Sequence, residues 1–375
     1  MLELRICSGS NSTSNRNPNL DLLRATAICL VLVYHGVQMS PVATSWIKDL
    51  AASGQYGVDL FFVLSGWLIG GLYWREIKAF GNVEIGRFWV RRWVRTIPPY
   101  LGALAISWMA VHIGRGQSFD FGYLIFIQNF YRQIPFFLVS WSLCVEEHFY
   151  LLMPIVLFIA GRMFNRRGVI GALLLLLIVS PVMRLISYRE MTDQFGYFLT
   201  ATQLHMSGLI LGVLLSYLAV EAPNTSFLLA RFSPAILVTA GVGLFLLSLA
   251  GGVLAYVLRE TFIGIFFAAA LAFAVQQSQL RGRTAAAFYP VSVCSYSTYL
   301  VHPLALHVAV RAQQLIPGRE LVCYFLFAGT LTLLLSAVFY FAFERTSIRL
   351  RDYYWPRRRA AATLRNPQRG VRPGL

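Results

Sequence analysis

Apolar stretches of bilayer-spanning length follow one another along this chain and leave little room for a soluble fold. They run roughly over residues 20 to 40, 56 to 74, 97 to 113, 141 to 160, 168 to 187, 198 to 220, 233 to 250, 255 to 275, 286 to 310 and 320 to 343, each close to the ~20 residues a spanning helix needs. With 57% hydrophobic and 13% charged residues and a mean hydropathy of +0.61, the chain has more apolar surface than a water-soluble core can hide. The expected fold class is therefore an all-α polytopic membrane protein of about ten transmembrane helices. The stretch 123–139 interrupts this pattern with Gln128, Asn129, Arg132 and Pro135. It reads as a re-entrant or interfacial segment, because exposed irregular backbone is not tolerated in lipid.

Charge sets the expected orientation. If the stretch 123–139 does not cross, only Lys48, Arg115, Arg189, Arg259, Arg311 and Arg319 fall on one side. The other side collects Arg5, Arg16, Arg24, the basic residues from Arg75 to Arg95, those at 162–167, Arg231, Arg281, Arg283 and every arginine from Arg345 onward. The positive-inside rule then places both termini in the cytoplasm. The net charge of +16 is thus mostly topology. Nucleic-acid binding is not expected, since the basic residues flank apolar spans and form no separate polar domain. Three parts follow: a polar cytoplasmic tail over 1–19, a transmembrane domain over 20–345, and a basic, disordered cytoplasmic tail over 346–375 drawn to anionic membrane lipid. No cleavable leader is evident, and Cys7, Cys29, Cys144, Cys294 and Cys323 lack the paired spacing of a disulfide framework or metal site. No metal is expected.

Within the first span, Arg24 and His35 are separated by ten residues. Eleven steps of about 100° come within about 20° of three full turns, so both side chains share one helix face about 16 Å apart. Arginine in hydrocarbon costs roughly 2.5 to 3.5 kcal/mol on insertion scales, which calls for a chemical role. A second block, GVDLFFVLSGWL over 57–68, places Asp59 and the small pair Ser65 and Gly66 in an apolar helix. Small residues there serve close helix packing or approach to a ligand, and Asp59 is expected near the outer interface. A third, FWVRRWVRTIPPY over 88–100, puts Arg92 and Arg95 three apart, on one helix surface. The prolines suggest a span beginning near Ile97. The arginines either anchor that span at the cytoplasmic face or bind the phosphates of a nucleotide-bearing cofactor, which guanidinium forks do well.

The fourth block, WSLCVEEHFYL over 141–151, carries adjacent carboxylates. Glu146 shares a face with Ser142 and Tyr150 at i±4 spacing, which favours it over Glu147. The fifth, YSTYLVHP over 296–303, holds His302 inside an apolar run, where a bond within the bundle and a catalytic role are both open.

These five blocks, in this order across roughly residues 18 to 345, resemble the acyltransferase 3 family of integral membrane acyltransferases. The resemblance implies a ten-helix core that moves an acyl group, usually acetyl, from cytosolic acyl-CoA to a hydroxyl of a carbohydrate or related acceptor, in a bacterial cytoplasmic (inner) membrane. It implies functional roles for Arg24, His35, Arg92 and Arg95. The block that often closes the family's last helix as Glu-x-Pro reads Glu344-Arg345-Thr346 here, a departure that leaves the form of that helix exit open. The expected chemistry has acyl-CoA phosphates meeting Arg92, Arg95 and Arg24, with His35 as general base. Glu146 is expected to orient either the imidazole or the acceptor. A secondary transporter or flippase of a sugar or lipid-linked sugar is the alternative, but it predicts internal inverted repeats, and none is visible.

Overall fold

The computed structural model describes residues 16–189, 200–313 and 320–358. Every element among them is helical: α1 (Pro18–Met39), α2 (Ser45–Ala51), α3 (Gly57–Phe80), α4 (Ile85–Arg115), α5 (Trp141–Arg189), α6 (Met206–Glu221), α7 (Pro223–Ala250), α8 (Gly252–Gln276), α9 (Gly282–Gln313), α10 (Glu320–Phe339) and α11 (Arg345–Tyr354). Among the described residues, eight helical stretches are long and apolar enough to cross a membrane, and α6 is a shorter apolar helix. The protein is an all-helical polytopic membrane protein.

Local sequence explains where α1 begins. Asn17 caps the helix by accepting the Asn19 N–H at 2.9 Å, Pro18 takes the first turn, and Asp21 faces the positive end of the helix dipole. The Asn19 amide then donates to the Ala274 carbonyl at 2.8 Å and accepts from the Leu280 N–H at 3.0 Å. These bonds fasten the start of α1 to the turn between α8 and α9, at the arginine-rich end of the bundle.

The helical run α5 hides a reversal. Unbroken over 49 residues, it would extend about 73 Å if straight. Yet the Trp141 ring lies 4.8 Å from the His205 ring, and Arg184 Nε donates to the neighbouring Leu204 carbonyl at 2.9 Å. A Cβ on Gly161 would touch Val169 at 3.8 Å, although eight helical residues span about 12 Å. The chain therefore doubles back between Gly161 and Val169. Its two arms correspond to the stretches 141–160 and 168–187 read as separate spans.

Three features differ from the sequence reading. Helix α4 begins at Ile85, not near Ile97, and runs through Pro98 and Pro99. The first proline cannot donate to the Val94 carbonyl and the second cannot donate to that of Arg95, but packing keeps the axis helical. The last membrane helix also continues: a π-helical turn over Tyr340–Glu344 leads directly into α11. Residues 346–354, read as disordered tail, are thus helical, and residues 1–15 and 359–375 lie outside the described residues.

The segment 123–139 contains three short 3-10 turns, over Phe121–Ile125, Gln128–Phe130 and Leu138–Ser140, with Phe126 and Phe137 in the left-handed region at φ 59° and 53°. The Gln128 and Asn129 side chains are turned into the protein, while Arg132 and Gln133 are exposed. Gln128 donates to Tyr100 and Ser140, and Asn129 to Thr200 and Thr202. The Tyr123 hydroxyl donates to the Phe136 carbonyl and accepts from the Phe136 N–H at 3.1 Å. Short local backbone bonds, such as Ile127 N–H to the Gly122 carbonyl at 3.1 Å and Ser140 N–H to the Phe137 carbonyl at 3.0 Å, close the segment's turns.

Candidate active site

A cavity of about 600 Å³ lies among α1, α3, α4, the start of α5, α9 and the junction between α10 and α11. Of the residues singled out from the sequence, Arg24, Ser65, Arg92, Arg95, Ser142 and Glu146 line it. His35, Asp59, Glu147, Tyr150 and His302 do not. Tyr296, Tyr299 and Glu344 also line it, and spacing alone had not marked them as site residues.

The polar wall is built around Glu146. Its Oε1 accepts from Ser65 Oγ at 2.6 Å, and that hydroxyl accepts from Tyr150 OH at 3.0 Å. The Arg92 guanidinium lies over the Tyr150 ring at 3.7 Å and 4.0 Å from Glu146 Oε2. Tyr150 thus lies behind the wall and holds it. Arg95 faces Glu344 Oε1 at 3.4 Å, while Ser297 Oγ donates to Glu344 Oε2 at 2.8 Å. Arg24 meets Asp21 Oδ1 at 3.3 Å, a carboxylate also held by Arg16 and Ser292 at 2.6 and 2.7 Å.

Each arginine retains unused donors. Arg92 Nε has no hydrogen-bond partner, and Arg95 remains 40% exposed. Glu147 points elsewhere: its Oε1 accepts from Thr96 Oγ1 at 3.0 Å and its Oε2 is unpartnered.

The histidines sit beyond the cavity's inner end and are joined to it by Tyr299. Tyr299 OH lies 2.6 Å from Ser142 Oγ and donates to the Val139 carbonyl at 3.0 Å. His302 Nδ1 lies 2.8 Å from the Tyr299 carbonyl, and its Nε2 is 3.3 Å from His35 Nδ1, which also faces the Val31 carbonyl at 3.1 Å. Carbonyl oxygens only accept, so each Nδ1 carries the proton. His35 then shares its Nδ1 hydrogen between Val31 and the lone pair of His302 Nε2. Its own Nε2 keeps a free lone pair.

Of the two roles expected for Glu146, orienting the imidazole would need a contact with His35. Glu146 is occupied by Ser65 and Arg92 and makes no bond to His35. The fully buried His302 orients that ring instead.

Asp59 belongs to a different cluster. Asp59, His205 and Glu260 each present a ligand atom within 4.8 Å of the others, with His205 Nδ1 3.7 Å from Glu260 Oε2. The buried Arg184 lies within electrostatic reach of both carboxylates. Asp59 is half-buried inside the bundle, two residues from Phe61, which lines the cavity.

The sequence model described as an acyltransferase domain matches residues 17–341. The chain belongs to the acyltransferase 3 family. It is similar to the O-acetyltransferase OatA of Staphylococcus aureus (strain NCTC 8325), at 28% identity over 219 residues, 54% of this chain and 34% of that protein. It is also similar, at 29% identity over 220 residues and with the same coverage, to a Staphylococcus aureus (strain COL) protein that carries the O-acetyltransferase name provisionally. The chain therefore matches about a third of the length of these curated relatives. No solved structure matches it.

Proposed function

We propose that this protein is an O-acyltransferase of the bacterial cytoplasmic membrane that moves an acyl group, acetyl by preference, from cytosolic acyl-CoA to a hydroxyl of a carbohydrate or related acceptor. One observation carries the reading. A single cavity has arginines toward the basic end of the bundle and reaches Ser142 and Tyr299, behind which His302 and His35 follow within hydrogen-bonding distance of one another.

Guanidinium groups with spare N–H donors suit phosphates. Arg92, Arg95 and Arg24 hold the phosphates of the donor, and the pantetheine arm carries its thioester inward past Ser65 and Glu146. His35 Nε2 takes the proton of the acceptor hydroxyl as its oxygen attacks the thioester carbonyl. The C–S bond breaks, the thiolate leaves, and the proton returns from the imidazolium to give free CoA and the ester. His302 keeps the His35 ring in the tautomer this needs. Glu146, anchored to Ser65 and Arg92, positions the arginine against the donor.

The test is transfer of labelled acetyl from acetyl-CoA to membrane glycan in vesicles carrying the full chain. Label is expected to appear with the wild type and to be lost with His35→Ala. Near wild-type turnover by that variant would remove His35 as base. Acceptor flux without acetylation in proteoliposomes would point to transport instead.

A further inference from the structure

The chain beyond the last membrane helix lies across the basic end of the cavity and is fastened there. Helix α11 is amphipathic, with Ser347 buried. Asp352 accepts from Arg91 at 3.1 Å, and Arg87 donates to the Pro356 carbonyl. Arg358 is held most firmly. It lies 3.3 Å from Glu76, 3.4 Å from Glu84 and 3.1 Å from the Asn82 side chain, with its guanidinium 4.1 Å above the Phe80 ring.

These anchors, all on the α3–α4 hairpin, bracket Arg357. It is exposed and makes no hydrogen bond or ion pair among the described residues, yet it lines the cavity together with Arg351. Asp352 holds Arg351 through Nε and one terminal nitrogen, each at 2.9 Å, which leaves the other terminal nitrogen free. Close by, Arg75 and Arg91 lie within electrostatic reach of Arg357. An arginine held by its neighbours in the chain among other cations, with no acid of its own, is arranged for an anion that arrives from outside.

We propose that residues 351–358 form a tethered strap whose Arg357, assisted by Arg351, binds the terminal phosphate at the nucleotide end of acyl-CoA. The proposal rests on the donor reading above. A donor whose thioester reaches the histidine end, and whose phosphates meet Arg92 and Arg95 on the way, leaves its outermost group, the ribose 3′-phosphate, at the rim. That is where Arg357 and Arg351 stand.

Calorimetric titration of the full chain in detergent with CoA and with 3′-dephospho-CoA tests this. The wild type is expected to bind CoA about tenfold more tightly, the worth of one charge-assisted contact, and Arg357→Ala is expected to abolish that preference. Arg358→Glu is expected to weaken CoA binding by freeing the strap, and adding Glu76→Arg to restore it. A wild type that binds both compounds equally overturns the strap, whatever the variants do. If Arg357→Ala keeps the preference but loses adsorption to phosphatidylglycerol vesicles, the strap faces lipid and the proposal falls. Binding of neither compound by the wild type would sink the donor reading itself, a different result from loss of discrimination.

Discussion

Two arginines inside this bundle face the same hostile solvent and solve the problem in opposite ways. Arg184 is 2% exposed, and all its nitrogens are used: Nε on the Leu204 carbonyl, one terminal nitrogen on Ser180 and Ser207, the other on the Val257 carbonyl and Thr261. Arg92 lines the cavity, stacks on Tyr150, stands 4.0 Å from Glu146 and leaves its buried Nε without a partner. Either side chain is expensive in hydrocarbon. The difference is what remains to be bonded: every nitrogen of the first is engaged, and the second, at the cavity wall, has one that is not. On the proposed reading, hydrogen-bonding capacity left over beside a cavity, more than charge alone, marks the donor site.

That contrast is open to direct attack, beginning with the largest effect. His35→Ala is expected to lower turnover by about 10²- to 10⁴-fold, the range of a lost general base, while the melting temperature of the purified protein changes little. A variant that loses stability in proportion to activity would move His35 to the structural side. His302→Asn serves as its companion: it should lower kcat and leave the acyl-CoA KM in place, since its contact is to the His35 ring and not to the cavity.

Arg184→Met should do the reverse. Removing a fully engaged buried cation leaves its carbonyl and hydroxyl partners unbonded and the nearby Asp59 and Glu260 without its charge, at a cost of about 3 to 5 kcal/mol. Thermal denaturation in detergent should show a large drop in melting temperature, with near-normal kcat per folded molecule. Arg92→Ala is expected to raise the acyl-CoA KM about tenfold with little change in the acceptor KM. Steady-state kinetics with each substrate varied in turn would show it, and a selective rise in the acceptor KM would contradict phosphate binding.

Much of this was readable before any coordinates, and for a physical reason. Hydropathy locates the spans because lipid imposes it, and helical periodicity put Ser142, Glu146 and Tyr150 on one face. Periodicity speaks only of neighbours along one helix. It could not announce that Glu344 faces Arg95 from 249 residues away, that Tyr299 joins Ser142 to His302, or that His302 and not Glu146 touches His35. The prolines at 98 and 99 suggested a boundary because their local chemistry opposes a helix, and tertiary packing overrode it. Residues 346–358 look unstructured by composition, since their order comes from partners on the α3–α4 hairpin.

The finest version of the comparison lies in two adjacent residues of α3. A Cβ on Gly66 would collide with the Leu209 backbone of α6, and one on Gly212 with the Val63 carbonyl, so this seam depends on backbone-to-backbone approach. Gly66→Ala should force the helices apart and cost about 1 to 3 kcal/mol of stability, again visible in melting temperature. Ser65, one residue earlier and about 100° around the axis, lines the cavity and donates to Glu146. Its replacement by alanine removes one hydroxyl, worth about 1 kcal/mol. That loss should register in the acyl-CoA KM, because Glu146 is then freer to swing onto Arg92 and compete with the donor's phosphates. Should Ser65→Ala lower stability and spare the donor KM, the α3 face toward the cavity would be packing surface like its neighbour, and the division between spent and unspent polar groups would not hold at this position.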